Sequence, residues 1–535
     1  MIKKINQKLY YYLLPLFLGA LTSFSLPPYN FLLINFITFP SLLFLLIEIQ
    51  KKNFYWQSFK IGWLFGIGYF FSNIYWIVYS LTFENIFKPF IPIALILIPS
   101  FLGLFYGFIT LIVSRFKLAK NFSSILIFSL VFAVVEFIRG FILGGFPWNL
   151  IVYSWTNYLN SLQILSTVGT YSLNLISITI FLIPLLIFFE KNKKFKVFLS
   201  IFLLSILICN NFYGSWKIKN NKKLYVKFNN LNIKVISPKI SIERFFEYNN
   251  EHIIINELIE LSDPDISKKS IFVFPEGALA GVNLDYLMNF KEIFSNKFSD
   301  NHTIIMGINT EKMENNSLKT YNSMVVLDNK LNLLHEYNKN KLVPFGEFLP
   351  LEKFFKKIGL KKVTQGYQSF SSGKNRELIS IDDKKFNFIP LICYEIIYSG
   401  KISSILDDTN FIINISEDGW FGNSIGPYQH FSHSIFRAIE EGKNIIRASN
   451  NGISAFIDSN GIVINSLEST KKGVIEINNY KELNKTLFSK IFQMVKTPQK
   501  ELICFYCIHV TNLIYGLKQP LNYKFLSNYL FFYVY

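Results

Sequence analysis

Charged residues are scarce in this chain of 535 residues: they make up only 17%, against 51% hydrophobic residues that include 57 Phe and 29 Tyr. Such a composition excludes an ordinary soluble protein and indicates that at least part of the chain lies in a membrane. Acidic residues are scarcer than basic ones: 36 Asp and Glu stand against 54 Lys and Arg, which gives a net charge of +18. The basic residues collect between apolar runs, as membrane topology requires, so no nucleic-acid partner is predicted.

Cysteine is also rare, and four residues (Cys209, Cys393, Cys504 and Cys507) do not make a disulfide framework. Cys504 and Cys507 form a CxxC pair in an apolar stretch, where helix packing is the simpler interpretation. No His/Cys cluster has the spacing of metal ligands, so neither a metal nor a diffusible cofactor is predicted.

Apolar runs in residues 1–215 predict a membrane domain of about seven helices. They lie near 10–26, 32–49, 61–82, 91–113, 123–143, 163–189 and 197–212. Lys and Arg concentrate around 3–8, 51–60, 115–120 and 191–196, whereas loops 27–31 and 144–162 carry none and 83–90 carries only Lys88. Because cytoplasmic loops are enriched in Lys and Arg, this asymmetry predicts a cytoplasmic N-terminus and places the chain after Trp216 on the outer face.

One predicted helix carries Glu136 and Arg139, which are three residues apart and therefore share a face. Charges at membrane depth are costly and usually either functional or paired, so a site role and an intrahelical ion pair both stay open. The glycine- and aromatic-rich stretch 144–149 that follows predicts a rigid loop at the outer membrane surface, in which Trp148 contacts lipid.

After Trp216 polar residues become frequent and apolar runs shorten to strand length, which predicts an α/β domain over 216–488. Strands are expected at 235–236, 271–274, 303–306, 323–327 and 411–415. Helices are expected at 241–262, 285–298 and 428–443. His430 and His433 in the last of these helices are interpreted as packing or polar-face residues.

Three strand ends in this domain carry reactive groups. The strand 388–392 ends in Cys393, either a small buried hydrophobe or a nucleophile activated by a nearby base. Glu276 follows the strand 271–274, where a carboxylate is partly desolvated, although a surface loop would also accept it. Lys339 and Lys341 form a basic cluster, which is either a cationic site or a solvated face. A base, a cation and a thiol at strand ends predict an acyl-transfer site if the three converge.

The stretches 274–276, 337–347 and 392–395 resemble, in order, the motifs of the nitrilase superfamily of carbon–nitrogen hydrolases. With the N-terminal helices, Glu136, Arg139 and 145–149, the sequence resembles the bacterial apolipoprotein N-acyltransferases up to about residue 488. This resemblance implies a polytopic α-helical membrane domain and an α/β nitrilase-like αββα sandwich. It also implies a multi-pass protein of the bacterial inner membrane whose catalytic domain faces the periplasm.

The resemblance further assigns roles to residues. Glu276 is the general base, Cys393 the nucleophile and Lys339, rather than Lys341, the oxyanion stabiliser. Supporting roles are expected for Glu347, Tyr394 and Glu395, with Tyr394 offering its backbone N–H to the oxyanion. Lipid or substrate contacts are expected at Trp148, Phe348, Pro350, Phe354, Phe355 and Trp420. Several of these lie in 345–361, which is either a lipid-touching lid or an ordinary buried helix.

The implied reaction is ping-pong transfer of an acyl chain from a membrane phospholipid, through a Cys393 thioester, to the N-terminal amine of a diacylated apolipoprotein. A membrane-tethered amidase with the same three residues and a non-catalytic membrane scaffold are the alternatives. Two features depart from the family pattern. Glu417 stands where relatives usually carry a carboxamide or a small residue, and an added carboxylate there is expected to alter rate and pH optimum. The segment 489–535 offers only 501–517 as a last membrane helix.

Overall fold

The computed structural model describes residues 2–50, 55–221, 225–228, 230–245, 251–348, 369–402, 409, 411–481 and 485–494. The predicted helix at 501–517, Cys504, Cys507, and the lid residues Pro350, Phe354 and Phe355 lie outside the described residues.

The described part of the chain up to residue 221 is helical, because apolar runs in lipid must satisfy their own backbone hydrogen bonds. The bounds are α1 Ile2–Ser23, α2 Asn35–Gln50, α3 Tyr55–Ile74, α4 Ile91–Val113, α5 Phe122–Arg139, α6 Leu159–Leu162, α7 Leu165–Phe189 and α8 Lys193–Asn221. Among the described residues, six helical stretches are long and apolar enough to cross a membrane, and Tyr11–Ser23 is a shorter apolar helix. The predicted polytopic helical domain is therefore confirmed.

Two helix ends differ from the sequence-based expectation. Helix α5 ends at Arg139, with Gly140 as its C-cap, rather than near 143. The helix cannot continue through 143, because Leu143 and Gly144 have φ values of 55° and 92°. Helix α8 continues to Asn221, well beyond the expected end at 212, and the first strand begins soon afterwards at Tyr225.

The second half of the chain is a mixed α/β domain. Its strands are β1 Tyr225–Lys227, β2 Leu231–Ser237, β3 Lys269–Val273, β4 His302–Glu314, β5 Ser317–Leu327, β6 Leu333–Asn338, β7 Ile379–Ile381, β8 Phe386–Ile392, β9 Phe411–Glu417, β10 Asn444–Asn450, β11 Ser454–Ile457, β12 Val463–Leu467, β13 Gly473–Ile477 and β14 Asn479–Lys481. Its helices are α9 Glu251–Ser262, α10 Leu284–Leu287, α11 Lys291–Ser295, α12 Gly426–Glu441 and α13 Leu487–Met494.

The strands form two six-stranded sheets, in the orders β13-β2-β3-β4-β5-β6 and β12-β11-β10-β9-β8-β7, while β1 pairs with β14. Their facing surfaces share one apolar core, to which Val273 and Ile305 contribute from one sheet and Ile392 and Ile413 from the other. Helices α9 to α11 cover the outer face of the first sheet, and α12 covers that of the second. This arrangement is the predicted αββα sandwich.

The apolar core on the outer face of the second sheet is continuous with the apolar core of the membrane domain. Ile389 and Ile412 of the sheet and Phe436 of α12 belong to one buried cluster with Phe39 and Phe181 of the membrane helices. Helix α12 therefore packs on the sheet on one side and on membrane helices on the other, which fixes the sandwich against them.

Candidate active site

Parallel pairing brings several loop residues to one edge of each sheet. Strand β3 pairs in parallel with β4, and β8 pairs in parallel with β9. Strand β6 ends at the same edge of the sheet as β3. The reason is that β5 is antiparallel to both β4 and β6, so β6 runs in the same direction as β4. The residues that follow β3, β6 and β8 include Glu276, Lys339 and Cys393, which can therefore meet between the sheets.

Lys339 lies between two carboxylates. Its Nζ donates to Glu276 Oε1 at 3.2 Å and to Glu347 Oε1 at 2.9 Å. Asn322 Nδ2 bridges the same two oxygens, with both distances 2.7 Å, and the backbone N–H of Glu417 donates to Glu276 Oε2 at 3.0 Å. Glu276 is thus held by three donors, in a site where Lys339 is only 1% exposed.

Electrostatics keep this lysine charged. Burial by itself lowers the pKa of Lys339, but Glu276, Glu347 and the Cys393 sulfur outweigh burial and raise it well above its usual range. A lysine that keeps its proton cannot act as a base, whereas it can stabilise a developing negative charge.

Cys393 has a left-handed backbone conformation, with φ of 50°, at the point where β8 turns into the 3₁₀ helix Cys393–Ile397. Such a conformation costs a residue with a side chain about 1–2 kcal/mol. Burial and the nearby Glu276 raise the pKa of the thiol well above its usual range, although Lys339 and a hydrogen bond with Ser416 lower it. The thiol is therefore protonated at neutral pH and needs a base to become a nucleophile.

The buried carboxylate of Glu395 holds the turn at Cys393 in place. Its carboxylate accepts hydrogen bonds from Tyr337 Oη at 2.7 Å, Asn340 N at 3.0 Å, Lys341 N at 3.1 Å and Ile392 N at 2.9 Å, and it pairs with Arg376 at 3.0 Å. One buried carboxylate thereby ties the strand that ends in Cys393 to the loop that begins with Lys339. Its position is that of a structural support.

A second polar network lies on the other side of the thiol. His430 Nε2 lies 3.3 Å from the Cys393 carbonyl oxygen, and His430 Nδ1 lies 2.8 Å from Asp418 Oδ1. Arg447 pairs with Asp418 Oδ2 at 2.8 Å. Burial raises the pKa of Asp418, but Arg447 and His430 outweigh it and lower the pKa overall. His430 is therefore more than a packing residue, because it joins Asp418 to the carbonyl group of Cys393.

Glu417 is fully buried beside the candidate base. Its carboxylate pairs with Arg244 and accepts from Asn450 Nδ2 at 2.7 Å, while Arg244 Nη2 also donates to the Gly277 carbonyl oxygen at 2.8 Å. The added negative charge is thus matched by a buried guanidinium. The pair links the residue after Glu276 to the end of β9.

The membrane domain reaches the turn that carries the thiol. Tyr394 Oη donates to the Gly145 carbonyl oxygen at 2.8 Å, and Tyr398 Oη donates to the Gly144 carbonyl oxygen at 2.9 Å. Gly145 has φ of 76°, and a Cβ there would lie 2.2 Å from the Gly140 oxygen, so only glycine fits. The loop after α5 is therefore a contact surface for the site.

Trp148 in this loop was predicted to contact lipid, and the structure corrects that prediction. The side chain is 2% exposed rather than lipid-facing. Its indole N–H donates to Gln429 Oε1 at 2.9 Å, and its ring stacks on His430 with centroids 5.1 Å apart. The contacts with α12 bury it between the two domains, where it supports the network around Cys393.

The other described residues that the sequence analysis considered for the site differ in exposure. Phe348 is half-buried and its carbonyl accepts from Phe345 N at 2.8 Å; Trp420 is half-buried, with its ring 5.9 Å from that of Phe83. Lys341 is exposed, in contrast to Lys339.

The two charges on α5 form a buried intrahelical ion pair, with Arg139 Nη2 3.0 Å from Glu136 Oε1. Arg139 also donates to the Phe146 carbonyl oxygen and so holds the loop that carries Trp148.

Sequence reasoning did not identify Asn322 and gave His430 no chemical role. The sequence shows only that Asn322 precedes the apolar run 323–327 and that His430 shares a predicted helix with Arg437, Glu440 and Glu441; their complete burial on α12 is a finding of the structure. Polar groups buried at that density need partners, which a functional site supplies.

Comparison with known proteins gives two family matches. Residues 18–183 match the model of the apolipoprotein N-acyltransferase N-terminal domain, and residues 268–478 match that of carbon-nitrogen hydrolases. The apolipoprotein N-acyltransferase of Rickettsia typhi is 32% identical over 470 residues, covering 86% of this chain and 90% of that protein. That of Brucella melitensis is 28% identical, covering 86% and 87%.

Solved structures similar to the chain include Saccharomyces cerevisiae Nit3, of the nitrilase superfamily, with 13% identity and a TM-score of 0.33 over 50% of this chain and 95% of that one. An amidase from Nesterenkonia sp. AN1 has 11% identity and a TM-score of 0.33, covering 49% and 95%.

The helices of membrane length, the carbon–nitrogen hydrolase domain and the match to relatives that are apolipoprotein N-acyltransferases together identify a multi-pass membrane acyltransferase. The chain belongs to the apolipoprotein N-acyltransferase family.

Proposed function

We propose that the chain moves an acyl chain from a membrane phospholipid to Cys393 and then to the N-terminal amine of a diacylglyceryl-cysteine on an apolipoprotein. The observation that carries this proposal is the buried network of Glu276, Lys339 and Glu347 at the sheet edge of Cys393. The membrane loop bonded to the nucleophile's turn supports a lipid donor.

In the first half-reaction Glu276 takes the proton of the Cys393 thiol, and the sulfur attacks an ester carbonyl carbon of the phospholipid. Lys339 and the backbone N–H of Tyr394 stabilise the oxyanion. The C–O bond then breaks, the lysophospholipid oxygen takes the proton from Glu276, and a thioester remains on Cys393.

In the second half-reaction the amine attacks the thioester carbonyl, and Glu276 accepts a proton from the nitrogen. Collapse of the intermediate breaks the C–S bond, forms the amide, and returns the proton to the sulfur. Glu347 and Asn322 act by positioning, since Asn322 donates directly to Glu276, and Glu347 accepts from Asn322 and Lys339, which both hold Glu276.

The charge asymmetry of the loops supports placing the protein in a bacterial inner membrane with residues 216–488 on the periplasmic side. The remaining segment, 489–535, includes the proposed last helix at 501–517. Protease added to spheroplasts should digest the catalytic domain; a domain protected until the membrane is dissolved would refute this orientation.

A two-substrate assay tests the transfer. Purified protein is given an acyl-labelled phospholipid and a diacylglyceryl-cysteine peptide, and label on the peptide amine is followed as both concentrations vary. We expect amide-linked label and parallel double-reciprocal lines, because the substrates occupy the site in turn. Intersecting lines would contradict a covalent intermediate, and ammonia release from small amides without transfer would indicate an amidase.

A further inference from the structure

The hydroxyl group of Ser416 lies beside the Cys393 thiol, where strand β9 ends. In the parallel pairing of β8 with β9, Ile392 pairs with Ile415, so the next residues along the two strands, Cys393 and Ser416, are neighbours. Ser416 is 0% exposed. Its hydroxyl group forms a hydrogen bond with the Cys393 sulfur, which lowers the pKa of the thiol. Ser416 therefore contacts the atom that carries the acyl chain in the reaction proposed above.

The same hydroxyl group has a second acceptor, the carboxylate of Asp418. Ser416 Oγ donates to Asp418 Oδ1 at 2.7 Å. That oxygen also lies 2.8 Å from His430 Nδ1, and Arg447 Nη2 donates to Asp418 Oδ2 at 2.8 Å. Asp418 thus keeps two partners when the Ser416 hydrogen turns away. Because rotation about the Cβ–Oγ bond moves only the hydrogen, the hydroxyl group can turn from the carboxylate to the sulfur while the heavier atoms stay in place.

The sulfur carries negative charge twice in the proposed reaction. It does so when Glu276 takes the thiol proton, and again when the C–S bond breaks and its electron pair goes to the sulfur. Lys339 is bonded to Glu276 and Glu347 and is assigned to the oxyanion. A buried anion is costly unless a donor bonds to it, so a hydroxyl group that donates to the sulfur favours both half-reactions.

We propose that Ser416 is a further catalytic residue, whose hydroxyl group turns from Asp418 to the Cys393 sulfur and stabilises the thiolate in both half-reactions. This inference rests on the function proposed above. The Ser416 proton stays on its own oxygen throughout, because the thiol proton goes to Glu276 in the first half-reaction and the sulfur regains a proton from Glu276 in the second. Asp418 acts by positioning, since it orients the hydroxyl group while the sulfur is a neutral thiol.

The first test compares full-length wild type with S416A by the rate at which iodoacetamide alkylates Cys393 at neutral pH, read from the mass of the peptide that contains it. Loss of a hydrogen bond to a charged group should raise the pKa of the thiol by about one unit and lower the thiolate fraction about tenfold. A thiolate of higher pKa is the stronger nucleophile, so the net alkylation rate should fall about threefold. This measurement needs no substrate and therefore tests the hydroxyl group whether or not the proposed function is right.

The second test measures acyl-thioester formation on Cys393 against the mole fraction of acyl-labelled phospholipid in detergent–lipid micelles. The maximal rate in S416A should fall about tenfold, and discharge of the thioester by the diacylglyceryl-cysteine peptide should slow by about the same factor. The half-saturating fraction should stay within about twofold of wild type, because Ser416 contacts the sulfur and acts only when the sulfur is charged.

S449A is the matched control. Ser449 pairs with Ser416 across β10 and β9, is also 0% exposed, and its Oγ has no hydrogen-bond partner among the described residues. Because β10 is not paired with β8, this variant loses a buried hydroxyl group away from the strand that ends in Cys393, and it should react as wild type does. If S416A fails to fold, S416T and S416V replace it, since Thr and Val have nearly the same shape and differ in the hydroxyl group. The Thr variant should then form the thioester about tenfold faster than the Val variant.

Equal alkylation and acylation rates in folded S416A and wild type overturn the inference, as do equal rates in the Thr and Val variants. An equal loss in S449A also overturns it, because the effect would then belong to packing. A change confined to the half-saturating fraction would assign Ser416 to donor binding and contradict the role at the sulfur. Absence of any thioester in the wild type would refute the proposed function itself, while the alkylation rates would still decide whether Ser416 stabilises the thiolate.

Discussion

Replacing Glu395 with Gln should destabilise the catalytic domain strongly, although the substitution changes one atom. The carboxylate meets four hydrogen-bond donors and the Arg376 guanidinium, on both of its oxygens. In either orientation the amide NH₂ faces at least one donor, and Arg376 loses its carboxylate partner, keeping the Lys401 carbonyl oxygen as an acceptor. Breaking a buried ion pair in this way costs about 3–5 kcal/mol.

For a domain of this size, a loss of that magnitude lowers the unfolding midpoint by about 10 °C. The assay is thermal unfolding of full-length protein in detergent, followed by tryptophan fluorescence. E377Q is the matched control, because Glu377 is an exposed carboxylate and its loss should change stability by about 0.5 kcal/mol or less. In E395Q/R376M part of the loss should return, since no charge is left unpaired.

A midpoint for E395Q within about 2 °C of wild type, well under the shift expected for a broken buried pair, would refute this reasoning. It would mean that the carboxylate does not hold the loop of Lys339 to the strand of Cys393. A similar loss in E377Q would show that the effect is not specific to burial.

Three further predictions concern the surroundings of the thiol. Alkylation of Cys393 by iodoacetamide should accelerate only above the usual pH range of cysteine, because burial and neighbouring carboxylates raise its pKa; an inflection near or below 8 would contradict this. E417Q should lower the free energy of unfolding by about 3 kcal/mol, because Arg244 loses the carboxylate it pairs with, although backbone carbonyl groups still accept from it. Wild-type stability in E417Q would refute the importance of this pair. Gly145→Ala should lower activity at least about tenfold, since the Cβ would collide with the Gly140 oxygen and displace the loop bonded to Tyr394, and full activity would show that the loop does not position the turn.

Much of the fold was accessible from the sequence because its signals are local. Apolar runs of membrane length predict helices wherever they occur, and short β-prone runs such as 271–274 and 411–415 became strands β3 and β9. The expectation that Glu276, Lys339 and Cys393 follow strand ends depends only on sequence. That they can meet depends on strand order, which the family resemblance supplied.

The remaining features depend on contacts between distant segments. Trp148 looked like a lipid-facing aromatic residue because nothing in its neighbourhood reveals that α12 covers it. The role of His430 depends on its contacts with Asp418 and the Cys393 carbonyl oxygen. The role of Glu395 depends on hydrogen-bond donors on β6 and β8. Such partners are set by tertiary packing, so a polar residue's role cannot be read from its own segment.

Direct detection of the acyl-enzyme tests the central claim. Protein incubated with acyl-labelled phospholipid and no acceptor should carry label on Cys393 that hydroxylamine removes. Adding the diacylglyceryl-cysteine peptide should discharge it, and Cys393→Ser should carry none. Label that persists in Cys393→Ser, or a wild-type protein that transfers acyl chains without ever becoming labelled, would contradict a thioester on Cys393.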